Sequence, residues 1–264
     1  MKTALAVKQL HFSFIIPDDW EKSVLDVGFR LRGMLGLALK TGCCFFDAKK
    51  TVCQDCVKRP HCHYGQSFES RQAITIEGLG KAGSIPHAWA LSLSLNGMRA
   101  QATLTMAGSE IAHQESWRSA IEALNLNIIW QPSTWFEQPF AYQWQAITPL
   151  RLRIKGKTPR EHQDINKAVL TSIVSKMQML AALHGTNIPE SRLPLPECSH
   201  TQWCEINRFS FRTKKEQDLS GWLLDITWPQ DLPSDWQPWL NLAMALGVGR
   251  QTSFGLGRLT PLLS

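Results

Sequence analysis

Residues 164–184 read DINKAVLTSIVSKMQMLAALH, and this stretch decides the fold. Val169, Leu170, Ile173, Val174, Met177, Leu180 and Ala181 recur at helical spacing, which predicts one long amphipathic helix closed by Gly185 as its C′ residue. Upstream, residues 148–155 alternate and read as a strand that turns through Gly156 and Pro159. Downstream, residues 203–212 and 220–227 read as two paired strands, 236–246 as a shorter helix and 255–261 as a last strand. That order is β-α-β-β-α-β, the order of a ferredoxin-like unit.

The first half gives a looser version of the same order. Residues 5–16 alternate, with Leu10, Phe12 and Phe14 on one face. Residues 24–40 keep helical spacing through Leu31, Met34, Leu35, Ala38 and Leu39 despite three glycines. A Cys-rich insert covers about 41–70. Short strands follow at 73–77, 88–95 and 102–107, then a helix at 110–125 with Ile111, Trp117, Ala120, Ile121 and Leu124 as its stripe. The segment 131–149, rich in Trp, Gln and Pro, holds the boundary. The expected fold class is α+β: two tandem ferredoxin-like (RRM-like) domains, 1–145 with the Cys-rich insert and 146–264 with a glycine-rich loop at 247–257.

The composition of the 264 residues supports a chain with a real core, at 44% hydrophobic. No run approaches 18 consecutive apolar residues, so no membrane partner is expected. The N-terminus lacks a continuous apolar core and a small-residue cleavage site, and no signal peptide is expected. Seven cysteines, four of them within 14 residues, do not form a secreted disulfide framework, which points to the cytoplasm. Charge is unevenly spread. Residues 149–215 hold 12 basic and 5 acidic side chains, while the whole chain has 28 and 22. Two readings compete: a polyanion-binding surface, or ordinary surface variation. Eleven Trp against two Tyr are mostly core, with some free to stack on bases.

Four glycines fall within the eleven residues Gly247–Gly257: Gly247, Gly249, Gly255 and Gly257. They let backbone approach a phosphate chain, and consecutive amides there can form an anion-binding nest to which Arg250 and Arg258 add charge. It is not a Walker loop, because no Gly-Lys-Ser/Thr ending is present and a strand follows it. The competing reading is a tight loop whose glycines serve packing. On the strand at 148–155, Arg151, Arg153 and Lys155 share one face, suited either to phosphates or to plain solvent. Arg208, Arg212, Lys214 and Lys215 form a second basic group at a hairpin tip.

The glycine-rich segment resembles the C-terminal loop of the CRISPR repeat-processing endoribonucleases of the RAMP superfamily. Three further stretches agree in order: Arg32-Gly33-Met34-Leu35-Gly36-Leu37-Ala38-Leu39; Cys53-x-x-Cys56 with Cys62-x-Tyr64 and Phe68-Glu69; and Thr148-Pro149-Leu150-Arg151-Leu152 with His184-Gly185. The resemblance implies a prokaryotic protein that binds CRISPR repeat RNA, cuts precursor crRNA once per repeat without a catalytic metal, and often holds the product. It implies attack of the 2′-OH on the adjacent phosphate, leaving a 2′,3′-cyclic phosphate and a 5′-OH. Other CRISPR effector subunits are implied as partners. Type IV CRISPR RNA endonucleases are similar in overall plan and rely on Arg rather than His. The rival reading is a RAMP-fold crRNA-binding subunit that does not cleave.

Many relatives use a His near the start of the first domain; here none of the eight His falls on helix 24–40. The catalytic expectation moves to Arg32, Lys40, Arg30 and Arg250. Arg32, Gly36 and Lys40 are spaced i, i+4, i+8, within about 80° of one another, a basic stripe over glycine that RNA backbone can approach. Alternatively Gly33 and Gly36 serve tight packing while Arg32 snorkels. Arg250 would offer a transferring phosphate two fixed donors. The glycines, Arg258, Arg151, Arg153 and Lys155 are assigned to RNA binding. In the insert, Cys44, Cys53, Cys56 and Cys62 have the spacing of a tetrahedral zinc site, and a structural zinc would order a segment without its own core. Cys43, His61 or His63 can replace one ligand; an iron–sulfur cluster and free thiols are the alternatives.

Overall fold

The computed structural model describes residues 4–46, 48, 53, 56–69, 74–76, 80–82, 86–210 and 215–262. The chain divides into two compact units. An N-terminal unit holds Ala6–Trp135 with Ala182–Gly185, and a C-terminal unit holds Met1–Leu5, Phe136–Ala181 and Thr186–Ser264.

In the N-terminal unit, β1 (Val7–Ile15) leads into α1 (Val24–Cys43). Ser23 caps α1 by accepting the Asp26 amide at 3.1 Å. Val27, Leu31, Leu35 and Leu39, one turn apart, are all buried on its inner face. A 3-10 turn at Arg59–His61 precedes the short α2 (His63–Ser67), and β2 (Ile74–Ile76) pairs with β3 (Gly80–Ala82). β4 (Trp89–Asn96) and β5 (Arg99–Ala107) form a hairpin. A 3-10 turn at Gly108–His113 then enters α3 (Gln114–Glu122), so the single helix expected at 110–125 is two pieces. The strands β6 (Ile129–Trp130) and β7 (Thr134–Trp135) both pair with β1, at its two ends. Pro132 sits in the break between them, where a missing amide donor cannot continue a ladder. The sheet order β4-β5-β1-β6, all antiparallel, is the ferredoxin-like order with its last strand broken in two.

The C-terminal unit reproduces that order more cleanly. Its elements are β8 (Gln143–Ala146), α4 (His162–Leu183), β9 (Glu197–Cys204), the hairpin β10 (Asn207–Ser210) and β11 (Lys215–Asp218), β12 (Gly221–Thr227), α5 (Gln237–Leu246) and β13 (Leu259–Pro261). The sheet runs β13-β8-β12-β9, with β10–β11 as a separate ribbon. The α+β class and the tandem ferredoxin-like plan are therefore what the chain adopts.

Two strand assignments need correction. The opening strand of this unit is β8, not residues 148–155. Residues 148–155 make only single bridges, Leu150 with Trp222 and Arg151 with Arg250, before Lys155 and Gly156 turn the chain at φ 47° and 81°. Pro149 and that early turn defeat a ladder, although Leu150 and Leu152 stay buried as the alternation required. Likewise, the strand at 203–212 is two: β9 ends at Cys204, and Asn207 starts the ribbon. Of the basic hairpin group, residues 212 and 214 lie outside the described residues.

A buried carboxylate fastens α2 to the N-terminal core. Glu110, 7% exposed, accepts from His63 Nε2 at 2.7 Å, from Ser67 Oγ at 2.8 and 2.9 Å, and from Trp117 Nε1 at 2.8 Å. Trp89 Nε1 adds a bond to the Ser67 carbonyl at 2.8 Å. Burial alone would raise the Glu110 pKa, but the His63 bond and charge, with the Ser67 and Trp117 donors, hold it below its ordinary value. A depressed folded-state pKa stabilises above the unfolded value, about 4.3, and that contribution is lost as pH falls through the folded pKa. Glu110→Gln is expected to lower stability by about 3–5 kcal/mol, as breaking a buried pair does. It should also remove part of the acid-side loss of stability; urea melts between pH 3 and 7 check both.

Candidate RNA interface

The glycine-rich loop joins α5 to β13, and the amides of all four of its glycines are tied down. Val248 N donates to Gly257 O at 2.8 Å, closing the loop across its neck. Gly257 N donates to Pro149 O at 2.9 Å, and Arg250 N to Arg151 O at 2.9 Å. Thr148 Oγ1 donates to Gly255 O at 2.8 Å and accepts the Arg258 amide at 2.9 Å. Gly249 N donates to Ser172 Oγ of α4 at 3.0 Å. One turn further along α4, Lys176 Nζ donates to Leu246 O and Gly247 O, both at 2.9 Å, and to Thr252 Oγ1 at 3.1 Å. Lys176 is 5% exposed, and burial pushes its pKa down to about 7.

This geometry settles what the glycines do within the loop. Their amides point inward to protein acceptors, Gly247 to Met244 O and Gly255 to Thr252 O among them, instead of forming an open row of donors. These four amides therefore do not themselves make an open row of donors, and at Gly249 and Gly257 the packing reading holds. Gly249 has φ 92° and lies so close to residue 151 that a Cβ would stand 3.0 Å from the Arg151 carbonyl. At Gly257, φ is 68° and a Cβ would collide with the Val248 carbonyl.

What the loop presents is cationic side chains. The Arg151–Arg250 bridge sets two guanidinium-bearing residues across from each other, and Arg151 Nη1 donates to Gln251 Oε1 at 2.7 Å. Burial lowers the Arg151 pKa, with the charges of Arg153 and Arg250 adding to it and Asp218 opposing. Arg151, Arg153 and Arg250 are therefore near enough to feel one another, and Arg250 is exposed. Arg258 is half-buried, its pKa lowered by burial. Lys155 is exposed in the turn after Ile154. Arg208 of β10 stacks over Phe254 of the loop, 5.2 Å from the ring centroid. Among the Trp, Trp203 is 37% exposed and packs edge-on to Trp222, whereas Trp144, Trp228 and Trp236 are buried.

On α1 the basic stripe is not open. The Phe68 ring lies on Gly36, where a Cβ would stand 2.7 Å from its edge. Arg32 packs its guanidinium over Phe68 at 5.1 Å and over Trp89 at 5.9 Å, and Lys40 lies 5.9 Å from the Tyr64 ring. The insert, not solvent, occupies the face read as accessible to RNA; of the two readings, the packing one holds at Gly36. Gly33 faces open space. Arg30 is exposed, near Asp19 at 3.9 Å and Trp20 at 5.8 Å.

The four cysteines expected at zinc, Cys44, Cys53, Cys56 and Cys62, line one pocket together with Lys40, Arg59 and Tyr64. Their donor type suits a thiolate-bound metal. Among the described residues, however, no three Cys, His, Asp or Glu stand in a ligating arrangement. Cys43 and Cys62 stand Sγ to Sγ 3.8 Å apart, and burial raises the Cys43 pKa to about 12.

Sequence reading missed Ser172, Lys176 and Gln251. Lys176 did carry a signal: it interrupts the buried stripe of α4 between Ile173, Met177 and Leu180, where a charge has no business without acceptors.

Residues 145–259 match the family model of the CRISPR-associated endoribonuclease Cas6, and residues 26–124 match a model described as an N-terminal domain. No curated protein matches the chain significantly by sequence. Among solved structures, a Cas6 product complex aligns at TM-score 0.52 and 15% identity, covering 97% of this chain and 99% of that one. A RAMP protein binding different RNA substrates aligns at 0.54 and 9%, covering 98% and 100%. A Cas6 substrate mimic complex aligns at 0.51 and 15%, covering 96% and 98%. At these identities the likeness is one of fold.

Two glycine substitutions separate the constraints. Gly257→Ala is expected to lose several kcal/mol, since both its φ and the Val248 carbonyl oppose a side chain. Gly33→Ala, in open space on a helix, should gain about 1 kcal/mol. Thermal melts of the two variants check the pair.

Proposed function

From a chain whose residues 145–259 carry the Cas6 endoribonuclease model on a two-unit Cas6 and RAMP fold, we propose a CRISPR repeat endoribonuclease that cuts precursor crRNA without a catalytic metal. The observation that carries it is the braced loop holding exposed Arg250 beside Arg151 and Arg153. The attacking group belongs to the substrate: a 2′-OH on the adjacent phosphate. The protein's task is then to align the strand and to neutralise charge gathering on the pentacoordinate phosphate. The products are a 2′,3′-cyclic phosphate and a 5′-OH. A guanidinium on a fixed backbone supplies paired donors at little reorganisation cost, which assigns this role to Arg250. Arg151, Arg153, Lys155 and Arg258 bind the phosphate backbone. Arg32, stacked on Phe68 and Trp89, anchors the insert instead.

The partners that follow from this reading are repeat RNA, a retained crRNA and other CRISPR effector subunits. Cytoplasmic placement belongs to the same proposal; no helix of the described residues is long and apolar enough to cross a membrane. The structural zinc stands as a proposal on donor chemistry alone, and no step of the reaction passes through it. Purified protein is expected to contain about one zinc per chain, released by Cys53→Ser with Cys56→Ser; metal-free native protein on elemental analysis would reject it.

Cleavage of the cognate repeat should persist in EDTA and stop when the nucleotide 5′ of the scissile phosphate is 2′-deoxy, with binding nearly unchanged. A strict Mg²⁺ requirement, or cutting of the deoxy substrate, would sink the mechanism. Wild-type binding without a cut would favour the crRNA-binding subunit. Arg250→Ala should slow single-turnover cleavage at saturating protein by about 100- to 1000-fold, with partial rescue by Arg250→Lys. Arg151→Ala should weaken binding and flatten its salt dependence at a nearly normal rate. Arg32→Ala should lower the melting temperature first; an equally slow but fully stable Arg32→Ala protein would return that residue to the chemistry.

A further inference from the structure

Lys176 is a buried amine with no carboxylate among its hydrogen-bond partners. Its three acceptors are two carbonyls at the C-terminal end of α5 and the Thr252 hydroxyl on the far side of the glycine-rich loop. Removing an ammonium from water is costly, and well-packed apolar residues often replace buried charges without loss of stability. Stability of the core is therefore a poor explanation for a lysine on this stripe of α4, between Ile173, Met177 and Leu180. The three bonds do something an apolar residue cannot. They span the loop's chord, joining residues 246–247 to residue 252, and Arg250 lies on the arc between them. One turn earlier on the same helix, Ser172 holds the Gly249 amide, so α4 grips the arc at its two ends and next to Arg250 itself.

We propose that Lys176 is a positioning residue: it fixes the arc Gly247–Thr252 and through it the direction in which Arg250 meets the RNA phosphate. The inference rests on the reading of the loop as the RNA-cleaving site. Lys176 does not touch the substrate, since it is buried beneath the loop. The tie has no slack chemically. An ammonium uses all three N–H groups on the three acceptors, and a neutral amine donates to the two carbonyls while accepting the Thr252 O–H.

The test uses Lys176→Met, which keeps an unbranched apolar stem one atom shorter and removes the donors. In RNA-free protein, hydrogen exchange at the amides of Val248, Gly249 and Arg250 should speed up by at least about tenfold, while amides of β8 and β12 keep their protection. Unchanged loop protection would overturn the proposal. In cleavage, Arg250→Ala should cost about 100-fold or more in the wild-type background but less than about threefold in the Lys176→Met background, because a misdirected arginine has little left to lose. Additive losses would mean a merely structural lysine and would also overturn it. If Lys176→Met does not unfold cooperatively, Thr252→Val removes a single acceptor from the same tie, and the same two readouts decide. Wild-type protein that neither binds nor cuts repeat RNA would remove the proposed function, and the exchange measurement would still decide whether Lys176 holds the loop.

Discussion

The glycine-rich loop has its shape because a lysine amine is buried beneath it. Lys176 reaches from α4 to both ends of the arc, Ser172 and the Arg151 carbonyl take up the backbone between, and Thr148 and the Pro149 carbonyl hold the stretch that follows. A glycine-rich segment left to itself has a large conformational entropy to lose, more than any other composition. Here that loss is offset by bonds at almost every residue. The glycines supply the left-handed turns and the close approaches that let those bonds form. The consequence is a loop whose glycine amides face inward and which turns the Arg250 side chain outward.

The N-terminal unit solves a similar problem with the opposite charge. Its excursion from the ferredoxin-like frame, the Cys-rich insert, returns to the core through α2 and is fastened by Glu110, a carboxylate satisfied by His63, Ser67 and Trp117. Arg32 and Gly36 of α1 complete the fastening by accepting the Phe68 ring. In each unit a buried ionisable group is held by several hydrogen bonds, and in each some of those bonds are made to an appended segment, the insert or the glycine-rich loop. A fold that only needed a core can often use apolar groups at such places without loss. Charges with directional bonds instead select one conformation of the appended segment.

The basic character of residues 149–215 gains a location from this arrangement. Arg151 and Arg153 share their electrostatic environment with Arg250, a hundred residues away in sequence, through one β-bridge. Asp218 offsets part of that charge. Arg208 is drawn onto Phe254, and Arg258 is half-buried. Some of these cations are thus spent on the protein, while Lys155 within the segment and Arg250 beyond it are exposed.

The sequence by itself determined the two-unit α+β plan. The periods of α1, α4 and α5 and the alternation of β1 are local properties, set by which neighbours along the chain share a face, and they survive folding unchanged. It also determined that residues 247–257 form a special loop, because four glycines at such spacing have no other use. The tertiary structure decided the rest. Residues 148–155 alternate like a strand, yet Pro149 and the turn at Lys155 limit them to single bridges. The Arg32, Gly36, Lys40 stripe looks open along the helix and is covered by Phe68 and Tyr64, residues that periodicity cannot bring to it. Whether a glycine amide faces a phosphate or a carbonyl, and whether a lysine in an apolar stripe is an error or a tie, depends on groups distant in the chain. Such pairings are fixed by long-range contacts, and only the folded backbone supplies them.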